Sequence, residues 1–180
     1  MTQRSAVDPT TGFTTLVPEG WAQWPDAPIA VLLVDAEARA RGDAFVSSLA
    51  ITVSPRQPHL DLDAIVLDAT RSWLDAVDYS HVLNVHEWAA PQPDTEGRLS
   101  YATYSNGMMS ITLLSAFLLH DAIVSRLDLT APVGDSRGAS EMLFTLLDSV
   151  ILPTTPAESN LSGADVVAFQ ASLIERSMPQ

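Results

Sequence analysis

The stretch RLSYATYSNGMMSITLLSAFLLHDAIVSRLDL, residues 98–129, decides the fold of this chain. Apolar and polar residues alternate along it with the period of two that is typical of β-strands. Asn106-Gly107 is the strongest local signal, because these residues tolerate the positive φ angles of a type I′ hairpin turn. A second tight turn is expected at His120-Asp121. With one strand before it, the stretch predicts four successive antiparallel strands, at residues 81–89, 98–105, 108–119 and 122–129.

The last of these strands indicates which side of the sheet is covered. Ile123, Leu127 and Leu129 point one way, whereas Arg126 and Asp128 point the other way. Antiparallel sheets with this alternation commonly have one face on the core and one face in water. The pattern therefore predicts a meander with one covered side.

The first 53 residues are interpreted as strands and turns. Strands are predicted at residues 13–17, 29–34 and 45–53, where β-branched and aromatic residues accumulate. Residues 21–25, with the sequence Trp-Ala-Gln-Trp-Pro, are expected to form an aromatic turn between the first two strands.

Two helices are predicted in the domain. The first covers residues 60–77, and Asp61 and Asp63 lie in its first turn, where carboxylates stabilise a helix. The second runs from about residue 137 to residue 150. Residues that recur at steps of three and four are expected to face inwards: Leu62, Val66, Ala69, Trp73 and Ala76 in the first helix, and Leu143, Phe144, Leu147 and Val150 in the second.

The pattern changes again after residue 152, where Pro, Thr and Ser accumulate. We expect one α+β domain over residues 1–152, an antiparallel sheet of six to seven strands with two packing helices. A linker at 153–161 and a C-terminal tail helix at 162–180 follow. A helix this short does not persist alone in water, so it must pack on its own domain, exchange with a second copy or bind another protein. Its apolar stripe consists of Val166, Phe169 and Leu173.

Composition excludes several classes of function. The chain has nine Arg, no Lys and no Cys, and its 22 Asp and Glu residues give a net charge of −13. Disulfides, thiolate nucleophiles, cysteine zinc sites, Schiff-base lysines and P-loops are therefore absent. An acidic chain without a basic stripe is a poor partner for nucleic acid. The longest apolar stretch, residues 111–119, is too short to span a membrane, and residues 1–9 lack the apolar core of a secretion signal. We therefore expect a cytoplasmic protein.

Residues that carry chemistry do not form a recognisable catalytic motif. His81 and His86 are expected on opposite faces of one strand, so they do not suggest a shared metal ion. Asp61-Leu62-Asp63 lacks the further ligands of a calcium loop. Gly138-Ala139-Ser140 is half of the serine-hydrolase pattern, and Ser140 is expected to cap a helix. No catalytic, cofactor or metal site is assigned.

Two features are candidates for partner binding. Trp21 and Trp24 flank a Pro-rich turn, where Trp21 is expected to be buried and Trp24 to be exposed as an anchor. The alternative is that both cover one end of the sheet. Residues 61–96 hold eight acids against the single Arg71, which either steers a basic partner or forms a solvated face.

The order of the elements resembles that of a known fold. Phe13-x-x-x-Val17-Pro18-x-Gly20-Trp21 at the start and Asp148-Ser149-Val150 at the end of the last helix are similar to the PsbP/Mog-like fold, and within it to the LpqN-type family. The resemblance covers about residues 10–152. The resemblance implies a non-enzymatic function as a binding or accessory subunit. Relatives with this fold include photosystem assembly proteins, a small-GTPase binder, secretion-effector chaperones and envelope lipoproteins. Without a signal or a lipidated Cys, the expected member is a cytoplasmic paralogue.

The leading hypothesis is a non-catalytic module that holds a protein partner or associates with itself through the tail helix. Its predicted contact residues are Trp24, Val166, Phe169 and Leu173. One alternative is a small-molecule-binding domain, which requires a cavity between sheet and helix with converging polar groups near Tyr101, Tyr104, Trp73 or Trp88. Another is a hydrolase with an unrecognised triad, which requires a serine within hydrogen-bond reach of a histidine.

Overall fold

The computed structural model describes residues 4–25, 27–105 and 109–153. The elements in these ranges are, in chain order, β1 (Ser5–Val7), β2 (Thr14–Leu16), β3 (Trp21–Gln23), β4 (Val31–Asp35), α1 (Ala36–Arg41), β5 (Ser48–Pro55), α2 (Leu62–Ala76), β6 (His81–Ala89), β7 (Thr95–Ser105), β8 (Ser110–His120), β9 (Ile123–Pro132) and α3 (Ser136–Ser149). Seven strands form one antiparallel sheet in the order β3-β4-β5-β9-β8-β7-β6, and β1 pairs with β2. The predicted α+β class, with its antiparallel sheet and packing helices, is confirmed.

Both faces of the central strands are buried. On β8, Leu114, Ala116 and Leu118 belong to the core that contains α3, whereas Ile111 and Phe117 pack in clusters that contain residues of α2. One helix therefore covers each side. The prediction of a single covered side is wrong, because the polar residues of β9 that alternate with its apolar residues lie on the α2 side and are themselves buried.

Helix α2 begins as its sequence predicts, and most of its predicted inward stripe is covered, but Ala76 in its last turn is exposed. The Asp61 side chain caps it by accepting a hydrogen bond of 2.8 Å from the backbone N–H of Ala64. Leu62, Val66 and Trp73 are buried.

Helix α3 also lies where the sequence predicts it, with Leu143 and Leu147 buried. Phe144 is the exception, since it is 43% exposed. One step along a helix turns the side chain by about 100°, so Phe144 leaves the stripe that its neighbour Leu143 occupies. Its ring instead lies 6.3 Å from that of Trp88 on β6.

The N-terminal part differs from prediction in two places. Residues 21–25 do not form only a turn, because Trp21–Gln23 is strand β3, paired with β4 at one edge of the sheet. Helix α1 was not predicted. Asp35 caps its start and Gly42, with φ of 71°, ends it. Six residues are too few to show a helical period.

Some predicted elements lie outside the described residues. Pairing of β7 with β8 ends at Ser105 and Ser110, and the predicted turn residues Asn106-Gly107 fall between them in the range that is not described. The tail helix at 162–180 and all of the linker except Pro153 are likewise outside. In the described ranges, no helix is long and apolar enough to cross a membrane.

Candidate functional site

Strand β6 forms an edge of the sheet, and helix α2 packs over the neighbouring strands β7 and β8. Residues 63, 67, 70 and 74 of α2 share one stripe, because they recur at steps of three and four, and Val77 follows directly after the helix. Three contacts show where this stripe points. Asp63 bonds to Arg98 of β7, Thr70 lines a cleft with Val82 of β6, and Val77 packs in a cluster with the same Val82. The stripe therefore faces β6.

A β-bulge sets which side chains of β6 face the helix. Val82 pairs with Ala102 and Asn84 pairs with Tyr101, so Leu83 is an extra residue without a partner in the register. After the bulge, Val85 is opposite Ser100 and Glu87 is opposite Arg98. Even-numbered residues of β7 lie on the α2 side. Val82, Val85 and Glu87 therefore share that side.

The same bulge corrects the prediction for the histidines. His81 pairs with Thr103 and His86 with Leu99, and these β7 residues are four apart, on one face. His81 and His86 thus share a face instead of lying on opposite faces. Four residues of strand separate them by about 13 Å, which is too far for one metal ion. In the ranges that the structure describes, no three His, Asp or Glu residues are grouped as metal ligands.

The corner between α2 and β6 forms a groove with apolar walls. We call it the α2–β6 groove and define it by Leu67, Leu74, Val82, Val85 and Ser100. Leu67 is 50% exposed, Leu74 40% and Val85 44%. Single exposed apolar residues are ordinary on a protein surface. Here Leu67 and Leu74 lie on the stripe of α2 that faces β6, and Val85 lies on the side of β6 that faces α2. Grouping of exposed apolar side chains at one corner is typical of an interaction site.

Arg98 joins the two walls at one end of the groove. Its Nε lies 2.7 Å from Asp63 Oδ1 on α2, and its terminal nitrogen lies 3.3 Å from Glu87 Oε1 on β6. The hydrogen bond from Arg98 lowers the pKa of the Asp63 carboxyl, and the same bond raises the pKa of Arg98. Both carboxylates remain largely exposed to solvent.

The surface around the groove is strongly acidic. Residues 61–96 carry eight Asp and Glu residues against Arg71 and no other basic residue except histidine. Asp68, Asp75 and Asp78 are exposed and have no ion pair within the described ranges. Excess negative charge therefore lies on the outer side of α2 and at its end.

A small cleft, open to solvent on one side, lies between α2 and the sheet beneath the groove. Its polar lining comes from Thr70, Ser100, Ser115 and Arg126. Arg126 Nε donates to Asp128 Oδ1 at 2.9 Å, and Ser115 Oγ donates to the same oxygen at 2.5 Å. Asp128 Oδ2 lies 2.7 Å from Arg126 Nε but outside hydrogen-bond geometry, so Oδ2 has no hydrogen-bond partner among the described residues.

The aromatic residues that were expected around a cavity are divided between the two sides of the sheet. Trp73 lines the cleft, and Tyr104 packs edge-on against it with ring centroids 5.9 Å apart. Burial raises the pKa of the Tyr104 phenol. Tyr101 and Trp88 pack against the core on the α3 side. The enclosed space of the cleft holds about one water molecule, far less than the roughly 300–1,000 Å³ of typical ligand pockets.

Trp24 is half-buried, whereas Trp21 is buried. The Trp24 ring packs in a cluster with Leu32 and Ala50, and the guanidinium carbon of Arg39 lies 4.2 Å from the ring centroid. Trp24 is therefore less accessible than predicted, because α1 places Arg39 over it. The other predicted contact residues, Val166, Phe169 and Leu173, lie outside the described residues.

His120 and Ser140, which the sequence analysis considered for other roles, each contact other groups. His120 Nδ1 lies 3.3 Å from Thr95 Oγ1, and its other ring nitrogen lies 3.6 Å from Asp121. Ser140 does not cap a helix: it lies inside α3, where its hydroxyl donates to the Ser136 carbonyl at 2.9 Å.

The sequence interpretation missed the groove. Its signal was present in Leu67 and Leu74, which are seven residues apart on α2 and lie off the stripe of buried residues. Their partner on β6, Val85, could not be placed, because the bulge that turns it towards α2 has no sequence mark such as Gly or Pro.

Comparison with solved structures places this architecture among known proteins. Cyanobacterial PsbP from Synechocystis is similar with a TM-score of 0.64 and 13% identity, over 84% of this chain and 92% of that chain. LpqN of Mycobacterium tuberculosis, described as involved in cell envelope biogenesis, has a TM-score of 0.60 and 11% identity, over 84% of this chain and 91% of that one. The Saccharomyces cerevisiae Ran-binding protein Mog1p has a TM-score of 0.51 and 13% identity, over 99% and 93%.

No family model and no curated protein matches the sequence. Identities of 11–13% establish a shared fold and not a shared function. The sequence-based resemblance is nevertheless confirmed at this level: the chain has the PsbP/Mog-like fold.

Proposed function

We propose that this protein is a non-catalytic module that binds another protein through the α2–β6 groove. The observation that carries the proposal is the exposure of Leu67, Leu74 and Val85 beside the edge of β6. Fully burying a side chain of this size contributes about 1.5–3 kcal/mol relative to leaving it exposed. Each of the three is already about half covered, so burial of all three by a partner contributes roughly 2–5 kcal/mol.

The structural neighbours are consistent with this role. Mog1p is a Ran-binding protein, so one solved protein with this fold binds a protein partner. Fold similarity alone supports only the type of role, and the partner of Mog1p is not transferred to this chain.

The cleft beneath α2 is a weaker basis for function. Polar groups converge there as a small-molecule site requires, but the enclosed space holds about one water molecule. Binding of a metabolite-sized ligand would require α2 to move away from the sheet. Protein binding requires no such movement, because the groove is already open.

Capture from lysate with matched variants tests the proposal. The double variant Leu67→Gln/Leu74→Gln removes the apolar wall and keeps good helix formers at both positions. Ile151→Gln is the control, because Ile151 is 62% exposed and lies away from the groove, paired with Thr14. We expect a partner that the wild type and Ile151→Gln both retain and the double variant loses. Retention by all three proteins would contradict the groove as the binding surface.

The tail and Trp24 are proposed as additional contacts. Val166, Phe169 and Leu173 would form an apolar stripe that reaches a partner or a second copy. A truncation that ends at Pro153 tests them: reduced retention of the partner supports a role of the tail, and unchanged retention contradicts it. We also propose that the protein acts in the cytoplasm, which localisation of a tagged full chain would test.

A further inference from the structure

We infer that the partner of the α2–β6 groove supplies an extended basic segment that adds to the sheet as a strand beside β6. This inference rests on the proposed function and specifies the chemistry of the partner. It follows from the shape of the edge, from the side chains on both of its faces, and from the charge around it.

Strand β6 is suited to accept another strand. It is nine residues long, and among the described residues only β7 pairs with it, along one of its two edges. Edge strands in proteins are usually shortened, interrupted by Pro, bent by a β-bulge or given Lys residues to prevent such pairing. A bulge interrupts β6 at Leu83, but residues 84–89 after it continue in unbroken register and contain neither Pro nor Lys. The other edge strand, β3, has only three residues and therefore does not offer a comparable template.

The side chains of β6 define the pattern that the added strand must have. Facing α2, Val85 is half-exposed next to the apolar wall, and two residues further the Glu87 carboxylate is 85% exposed. Residues two apart on an added strand face the same side, so the partner needs an apolar residue opposite Val85 and a basic residue opposite Glu87. Glu87 keeps capacity for this contact, because Arg98 reaches it only at 3.3 Å.

Charge favours a basic segment over the other occupants of this edge. A second copy carries the same net charge of −13 and would place one acidic surface against another. The chain's own residues 154–180 contain Glu158, Asp165 and Glu175 against Arg176 alone. Both occupants are therefore repelled, whereas a segment with alternating Lys or Arg is attracted.

Two synthetic peptides of equal charge separate strand addition from unspecific attraction. The probe is a nine-residue peptide with blocked ends in which Lys and Val take turns along one face and Thr occupies the positions between them, so that a Val can lie opposite Val85 while a Lys lies opposite Glu87. In the control peptide Pro replaces every Val, which keeps the Lys residues but removes the backbone N–H groups that a strand needs. Binding to the full chain is measured by fluorescence anisotropy, and hydrogen exchange is measured on residues 81–89. We expect the Lys-Val peptide to bind at least about tenfold more tightly and to slow exchange in β6.

Two glutamate variants test whether the peptide binds beside β6. Glu87→Gln is expected to weaken binding of the Lys-Val peptide about two- to fivefold. Glu141→Gln on α3 is the control, since it also removes an exposed, Arg-paired carboxylate and is expected to change nothing.

Equal binding of the two peptides, unchanged exchange in β6, or equal effects of the two variants would each overturn the inference. Self-association of the chain that protects β6 would overturn it in favour of a second copy. If a captured partner is lost from Leu67→Gln/Leu74→Gln while the peptide results are negative, the inference fails and the proposed function stands. If Leu67→Gln/Leu74→Gln still retains every partner that the wild type captures, the proposed function fails as well.

Discussion

Replacement of Arg126 by Met tests how the polar centre beneath α2 is held together. Asp128 is 1% exposed and Arg126 is 9% exposed, in the middle of β9. The guanidinium carbon lies 5.2 Å from the centroid of the Phe117 ring. Met retains an unbranched stem of similar reach and can keep much of this packing, but it removes the charge. Asp128 is then left as a buried carboxylate whose remaining side-chain donor is Ser115.

The burial of Asp128 sets the size of the effect. Removing one partner of a buried ion pair typically costs about 3–5 kcal/mol, because the other charge remains without compensation. This is a large part of the roughly 5–15 kcal/mol by which domains of this kind are stable. A second variant, Arg126→Met/Asp128→Asn, removes both charges and keeps an oxygen acceptor for Ser115. Its expected cost is about 1–3 kcal/mol, which is the cost of imperfectly satisfied amide groups.

Urea unfolding at neutral pH, followed by tryptophan fluorescence and circular dichroism, measures both variants against the wild type. The double variant should be more stable than Arg126→Met alone. If Arg126→Met costs less than about 1 kcal/mol, or if the additional Asp128→Asn change restores nothing, then Asp128 does not depend on Arg126 and the reasoning is refuted.

Three further predictions concern single residues. Gly97→Ala would place a Cβ 2.6 Å from the Trp88 carbonyl oxygen and 2.8 Å from its ring, so we expect a loss of about 1–3 kcal/mol in urea unfolding. Arg98→Gln should raise the pKa of Asp63 towards the usual range of an Asp carboxyl in an NMR titration, because the hydrogen bond that lowers it is removed. The wild-type bond stabilises the fold at pH values above the unfolded-state pKa, and this stabilisation is lost as the pH falls through the lowered pKa of the folded state. Tyr104→Phe should reduce the loss of stability above about pH 10, because the unfolded phenol ionises there while the buried phenol stays neutral, and unfolding at several alkaline pH values checks this.

The strands from β6 to β9 could be predicted because their signal is local. Alternation between Leu127 or Leu129 and Asp128 fixes which residues share a face, whatever the rest of the chain does. Whether the second face of the sheet is covered depends on residues that are distant in sequence. A nearly continuous apolar run from Ile111 to Leu119 is typical of strands buried on both faces, and this feature would have corrected the expectation of one solvated side.

The predictions that failed concern features that depend on contacts between residues distant in sequence. Trp21 was assigned to a turn because Pro and Gly surround it, but pairing with Asp35 of β4 makes it a strand residue. The bulge at Leu83 places His86 on the same face as His81, and an extra residue without Gly has no sequence signature. Register in an edge strand is decided by the partner strand, which a local pattern does not contain.

The position of the groove wall follows from how α2 is attached. Apolar clusters fix the helix at both ends, Leu62 against Phe117 and Trp73 against Tyr104, with the polar residues of the cleft between them. Arg98 adds a link from the helix to the sheet edge through Asp63 and Glu87.

A basic residue of a partner would compete with Arg98 only for Glu87, where the contact is the longer one, at 3.3 Å. The Asp63–Arg98 hydrogen bond of 2.7 Å lies on the helix side and need not break. Binding would therefore replace the weaker half of the link while α2 stays in place. The groove requires little reorganisation before a strand is added, and for that reason its affinity would depend mainly on backbone pairing and on the side chains opposite Val85 and Glu87.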